Sequence, residues 1–168
     1  PIQLCLMTAQ IANGGYKIYP KLVLNKDDED IKQDKFEPLY KNSKNIKIIQ
    51  ESMFSSTNEV RGTSYKSRIN DPKYQFAGKT GTAQVKRITK QDRELDLKTF
   101  EIPYEERDHA LYIAFGPYKN PRYAISILIE HGGSGSSVAA PLAKKLFKKI
   151  IDRHEVRKNF NSERYLDI

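Results

Sequence analysis

Cysteine is nearly absent: Cys5 is the only one in 168 residues. A lone thiol excludes an internal disulfide and any cysteine-built metal cluster. Its neighbours are Leu4, Leu6 and Met7, a setting that reads as a small buried hydrophobe rather than a nucleophile. No run of 18 apolar residues and no signal-peptide pattern occur, so no membrane span is expected within these residues. The three histidines, His109, His131 and His154, lie too far apart for metal-ligand spacing, and neither a metal nor a cofactor is expected. His109 and His131 read as packed or hydrogen-bonded rather than catalytic. No nucleic-acid motif accompanies the net charge of +8. The lysines are interleaved with acids, as in Lys26-Asp27-Asp28-Glu29-Asp30-Ile31-Lys32, which marks most of them as solvated surface.

What the chain does contain is Gly78-Lys79-Thr80-Gly81-Thr82-Ala83-Gln84, directly after an apolar Phe76-Ala77 pair. On a strand, side chains alternate, so Lys79 and Gly81 point one way and Thr80 and Thr82 the other. A glycine in such a strand lets another backbone or a ligand lie flat against it. The arrangement suits a carboxylate held beside a reactive carbonyl. Gly-Lys-Thr also ends the phosphate-binding P-loop, but that loop needs a further glycine where this chain has Lys73. The Gly132–Ser137 stretch also lacks the Lys-Ser/Thr ending and is expected to cover the start of the last helix.

Residues 1–13 predict a helix, with Leu4, Met7 and Ile11 at helical spacing and Asn13-Gly14-Gly15 as its stop. Pro1 opens directly into it, which suggests a piece of a longer protein. A short strand is expected at 19–24, a charged loop at 25–44, and a second helix at about 45–58 around Ile46, Ile49 and Met53. A strand at 76–85 precedes a densely charged loop at 86–108. Two apolar runs, His109–Phe115 and Tyr123–Ile129, joined by Gly116-Pro117-Tyr118-Lys119-Asn120-Pro121, predict an antiparallel hairpin over 109–130. A last helix over 138–151 is expected to bury Leu142, Leu146 and Ile150. The predicted fold class is α+β, an antiparallel sheet packed with helices, as one domain over 1–154 with a frayed tail at 155–168.

Four separated segments resemble the class B penicillin-binding proteins. They are Pro1-Ile2-Gln3-Leu4 to Ala12-Asn13-Gly14-Gly15, then Gly62-Thr63, then Ala77 to Gln84, and then Asp108 to Pro117 continuing through Glu130-His131-Gly132-Gly133 to Ala139-Ala140-Pro141. The Lys-Thr-Gly triplet is one of three short motifs of that fold. The Glu130-His131-Gly132-Gly133 run resembles the elongation subfamily, penicillin-binding protein 2, more than the division subfamily. The resemblance implies the C-terminal portion of a β-lactamase/D,D-transpeptidase-like fold. The parent would be a serine D,D-transpeptidase that cross-links peptidoglycan stem peptides and is acylated by β-lactams. It implies a periplasmic domain of a bacterial inner-membrane protein, working with a glycan polymerase and the elongation machinery. It also implies roles by position. Lys79 would bring positive charge to the substrate carboxylate and the proton network. The Thr80 and Thr82 hydroxyls would bind that carboxylate. Gly81 would leave room for the substrate backbone, and the Thr82 N–H would be an oxyanion donor.

The chain departs from the family by containing no Ser-x-x-Lys. Ser43-Lys44-Asn45 and Ser56-Thr57-Asn58 match Ser-x-Asn but stand too close before Lys79 to be the family's second motif. The expectation is therefore a portion that cannot acylate alone. With its neighbouring N-terminal strand absent, the strand at 123–130 is expected to expose an edge for dimerisation. A penicillin-recognising sensor of the same fold is the alternative function. A basic module binding nucleic acid or membrane through the lysine-rich last helix ranks third.

Overall fold

The computed structural model describes residues 1–20, 37–87, 90, 94 and 97–164, and beyond His154 it describes the side chain of Val156 alone. Among these residues three α-helices, α1 (Ile2–Ala12), α2 (Ser43–Asn58) and α3 (Ala140–Arg164), surround strands β1 (Ala77–Ala83), β2 (His109–Gly116) and β3 (Tyr123–Ile129). The sheet is antiparallel throughout, in the order β1-β2-β3. This is the expected α+β architecture. Asn42 caps α2 by accepting the Lys44 N–H at 3.0 Å. Asn13 ends α1 as its side chain accepts from the Gly15 and Tyr16 N–H groups, with Gly14 and Gly15 both at positive φ.

The strict alternation of β2 divides two cores. On one face Ala110, Tyr112 and Ala114 join Phe76, Ala140, Ala143, Phe147 and Ile151. Tyr123, Ile125, Ile127 and Ile129 of β3 pack against the same cluster, as their spacing predicts. On the other face Ala77 and Phe115 meet Ile11 of α1 and Met53 of α2. Phe76 and Phe147 stack with ring centroids 4.9 Å apart, which anchors α3 on the sheet.

Several expectations need correction. The buried face of α3 is Ala140, Ala143, Phe147 and Ile151, whereas Leu142 and Leu146 remain 37% and 42% exposed. Small alanines let the helix lie close to the sheet, and a leucine in their place would hold it off. The helix also runs on through 155–164, where a frayed tail is expected, and the predicted start at 138 falls inside a π-helical turn, Gly135–Ala139, that precedes α3. In α1, Thr8 is fully buried while Met7 is exposed. The strand expected at 19–24 lies outside the described residues apart from Tyr19 and Pro20, which are irregular, as does most of the 25–44 loop. Within 86–108, the described part includes a 3₁₀ turn, Tyr104–Glu106, tied to Lys86 by a 2.6 Å ion pair with Glu106. Among the described residues β3 pairs with β2 alone, so no further strand lines its outer edge, although α1 meets that edge where the Cys5 thiol donates to the Ala124 carbonyl at 3.3 Å. Cys5 is half-buried rather than enclosed.

Candidate active site

β1 is the other edge of the sheet. Its register sets Lys79 opposite Ile113, Thr80 opposite Tyr112, Gly81 opposite Leu111 and Thr82 opposite Ala110. Lys79 and Gly81 thus share one face and Thr80 and Thr82 the other, as strand alternation requires. The backbone polarity follows from two bonds. Phe76 O accepts from the Asn58 amide at 3.0 Å, and Thr80 O accepts from the Lys79 ammonium at 2.8 Å. Carbonyls of even-numbered residues therefore face away from β2, and the same alternation turns the Thr82 N–H to that outer edge. Helix α2 covers the edge at Phe76 but not farther along, where Thr82 and Ala83 are exposed. The exposed Lys79 lies beside a pocket of about 590 Å³, lined mainly by apolar and hydroxyl side chains including Ile11, Ile49, Met53, Thr63 and Ile113.

Beneath the strand lies a hydroxyl cluster that sequence reasoning missed. The Tyr112 ring crosses under Gly78 and its hydroxyl lies 3.0 Å from both the Thr57 and Ser64 hydroxyls. Ser64 in turn donates to Ser56 O at 3.0 Å. These groups make five contacts with three hydrogens, so the bonds exchange, but no buried side-chain polar atom among the described residues is left unpartnered. Burial holds the Tyr112 phenol above its ordinary pKa of 10.0, against the lowering effect of its bonds from Ser64 and Thr57. Gly78 is a glycine for this ring's sake: a methyl there would overlap the Tyr112 hydroxyl and stand 2.5 Å from Cζ. Gly81 differs, since a methyl would meet only the Leu111 Cβ closely, at 3.3 Å.

The end of α2 supports the edge directly. Asn58 holds Phe76, Thr57 holds Tyr112, and the Ser56 hydroxyl lies 3.1 Å from that of Thr63, which lies 3.3 Å from that of Thr80. The 62–64 turn presses so closely on α2 that a side chain at Gly62 would overlap the Ser56 carbonyl and come within 2.6 Å of that of Ser55. Ser43-Lys44-Asn45 sits at the opposite end of α2, about 20 Å away along the axis. His109 and His131 are both hydrogen-bonded. His109 Nδ1 accepts the His131 N–H at 2.9 Å, and His131 Nδ1 contacts Arg107 O at 3.1 Å, pinning the turn after β3, where His131 has φ 55°. Among the described residues no group of three or more His, Cys, Asp or Glu could hold a metal ion, and no helix is long and apolar enough to cross a membrane.

The penicillin-binding protein transpeptidase domain model matches residues 1–148. The peptidoglycan D,D-transpeptidase MrdA of Salmonella typhimurium is 32% identical over 164 residues, covering 90% of this chain and 25% of the relative. Among solved structures, Pseudomonas aeruginosa PBP2 in complex with WCK 5153 is 34% identical with a TM-score of 0.63, covering 86% of this chain and 28% of that one. A complex of PBP2 with MreC from Helicobacter pylori gives 31% identity and a TM-score of 0.64, over 86% of this chain and 23% of that one. The chain spans about a quarter of the length of the curated relatives it matches.

Proposed function

The chain belongs to the penicillin-binding protein transpeptidase family, and from that premise we propose that it forms the C-terminal part of a serine D,D-transpeptidase domain of the penicillin-binding protein 2 type. The parent acts in the periplasm on peptidoglycan stem peptides. A serine outside these residues attacks the penultimate D-alanine carbonyl, the terminal D-alanine leaves, and the ester passes to an amine of a neighbouring stem, restoring the serine. Penicillins acylate the same serine. The observation that carries this reading is the free edge of β1, where the Thr80 carbonyl, the Thr82 N–H and the Lys79 ammonium face one side. An extended substrate backbone adds to that edge as a further strand. The Thr82 N–H donates to the developing oxyanion; removing one such donor costs about 10²–10³ in rate. Lys79 supplies charge to the substrate carboxylate, and the Thr80 and Thr82 hydroxyls bind it. Gly81 keeps the strand flat where the substrate passes. The 168 residues alone do not acylate, because the nucleophile is not among them.

The parent is expected to work within the wall-elongation machinery, alongside a glycan polymerase; the Helicobacter pylori PBP2 solved with MreC supports this. Fluorescent penicillin labelling of the parent tests the role of the edge. Lys79→Ala should slow labelling by roughly tenfold to a hundredfold, the loss of a charged contact. Unchanged labelling would remove Lys79 from the site. An acylated parent that never cross-links would instead identify a penicillin sensor.

A further inference from the structure

We infer that Thr63 and Ser56, outside the Lys-Thr-Gly triplet, are positioning residues that set the Thr80 hydroxyl for a substrate carboxylate. This rests on the function proposed above. The four polar groups form one continuous file. Lys79 Nζ is 3.5 Å from Thr80 Oγ1, Thr80 Oγ1 is 3.3 Å from Thr63 Oγ1, and Thr63 Oγ1 is 3.1 Å from Ser56 Oγ. An ammonium only donates, whereas each hydroxyl has one hydrogen and can also accept. Lys79 donates to Thr80, and because either oxygen can be the donor in the other two pairs, the file can run from Thr80 to Thr63 to Ser56. When a carboxylate reaches the edge, the file reverses. Ser56 donates to Thr63, Thr63 to Thr80, and the Thr80 hydrogen turns to the carboxylate. No hydroxyl loses a partner in either state.

Two features of the fold hold the file in place. The Gly62 position admits no side chain, so the 62–64 turn packs directly on the end of α2, and the Ser64 N–H donates to Ser56 O at 3.0 Å. Thr63 is thereby carried between Ser56 and Thr80 by backbone contacts rather than by its own side chain. Threonine is also stiff at χ1, so the bond to Thr63 selects which of the methyl and hydroxyl of Thr80 faces the file.

The test measures penicillin acylation of the parent, separating the affinity before acylation from the acylation rate constant. Thr63→Val, which keeps the shape and deletes the hydroxyl, should weaken that affinity about tenfold while the rate constant holds within about twofold. Thr63→Ser should restore wild-type affinity within about twofold, and neither should lower the thermal midpoint. Wild-type affinity in Thr63→Val, or equal impairment in Thr63→Ser, would overturn the relay. A wild-type parent that takes no penicillin would refute the function instead. The relay is then read from a crystal structure of the Thr63→Val parent, where Thr80 should leave its rotamer and an unmoved Thr80 would overturn the proposal.

Discussion

Gly78→Ala separates the glycine the fold requires from the glycine the chemistry requires. A glycine-to-alanine change in a strand gains about 0.4–1 kcal/mol through the unfolded chain when the methyl fits. At Gly78 it does not fit, because Tyr112 Cζ would lie 2.5 Å away and Cε1 2.7 Å away. The ring cannot retreat, since it is fully buried, bonded to Thr57 and Ser64, and set edge-on to Phe76. Overpacking of this kind costs about 1–3 kcal/mol, which leaves a net loss of about 1–2 kcal/mol. For a chain of this size that lowers the melting midpoint by about 2–8 °C. At Gly81 the methyl meets the half-buried Leu111 at 3.3 Å, so a few tenths of an ångström of movement suffices and stability should stay within about 0.5 kcal/mol. Urea denaturation followed by circular dichroism measures both. Tyr112→Phe should not rescue Gly78→Ala, because the ring carbons remain. A Gly78→Ala chain as stable as wild type, or Gly81→Ala equally destabilised, would refute the reasoning.

Three further outcomes are expected. Phe147→Ala should cost about 3–5 kcal/mol, whereas Leu146→Ala should cost under about 1 kcal/mol because Leu146 is 42% exposed where Phe147 is fully buried; denaturation midpoints decide it, and equal losses would reinstate the leucine face. Tyr112 keeps its proton more tightly folded than unfolded, so its contribution is whole below about pH 10 and is lost as pH rises through the unfolded value toward the folded one. Tyr112→Phe should flatten the fall in stability above about pH 10, and an unchanged slope would contradict the burial argument. The outer edge of β3, which no further strand pairs, should drive the isolated chain to dimers or larger species, and a clean monomer by light scattering at high concentration would count against that.

The hairpin and the motif strand were legible because each depends on neighbours in sequence. A nearly continuous apolar run and an alternating one on either side of a Gly-Pro…Asn-Pro turn leave one arrangement, and Lys79 to Thr82 carry their alternation within themselves. The buried face of α3 was not legible, since a hydrophobicity ranking favours Leu142 and Leu146 over alanines. The sheet decides instead, as Gly116 and Phe76 shape a surface that accepts Phe147 flanked by small residues. The support under the strand was hidden for a different reason. Ser56, Thr57, Thr63 and Ser64 read as ordinary polar residues at a helix end, and their partners Thr80 and Tyr112 lie 17 to 55 positions away. The signal available was Gly62 between two polar stretches directly after a helix, which marks a close backbone approach.

The measurement that bears most directly on the central claim is the site of acylation. The full-length parent, treated with a penicillin and digested, should carry the penicilloyl adduct on a serine outside residues 1–168, with Lys79→Ala reducing its yield. An adduct on a residue within these 168, or stoichiometric acylation of this chain alone, would contradict the account.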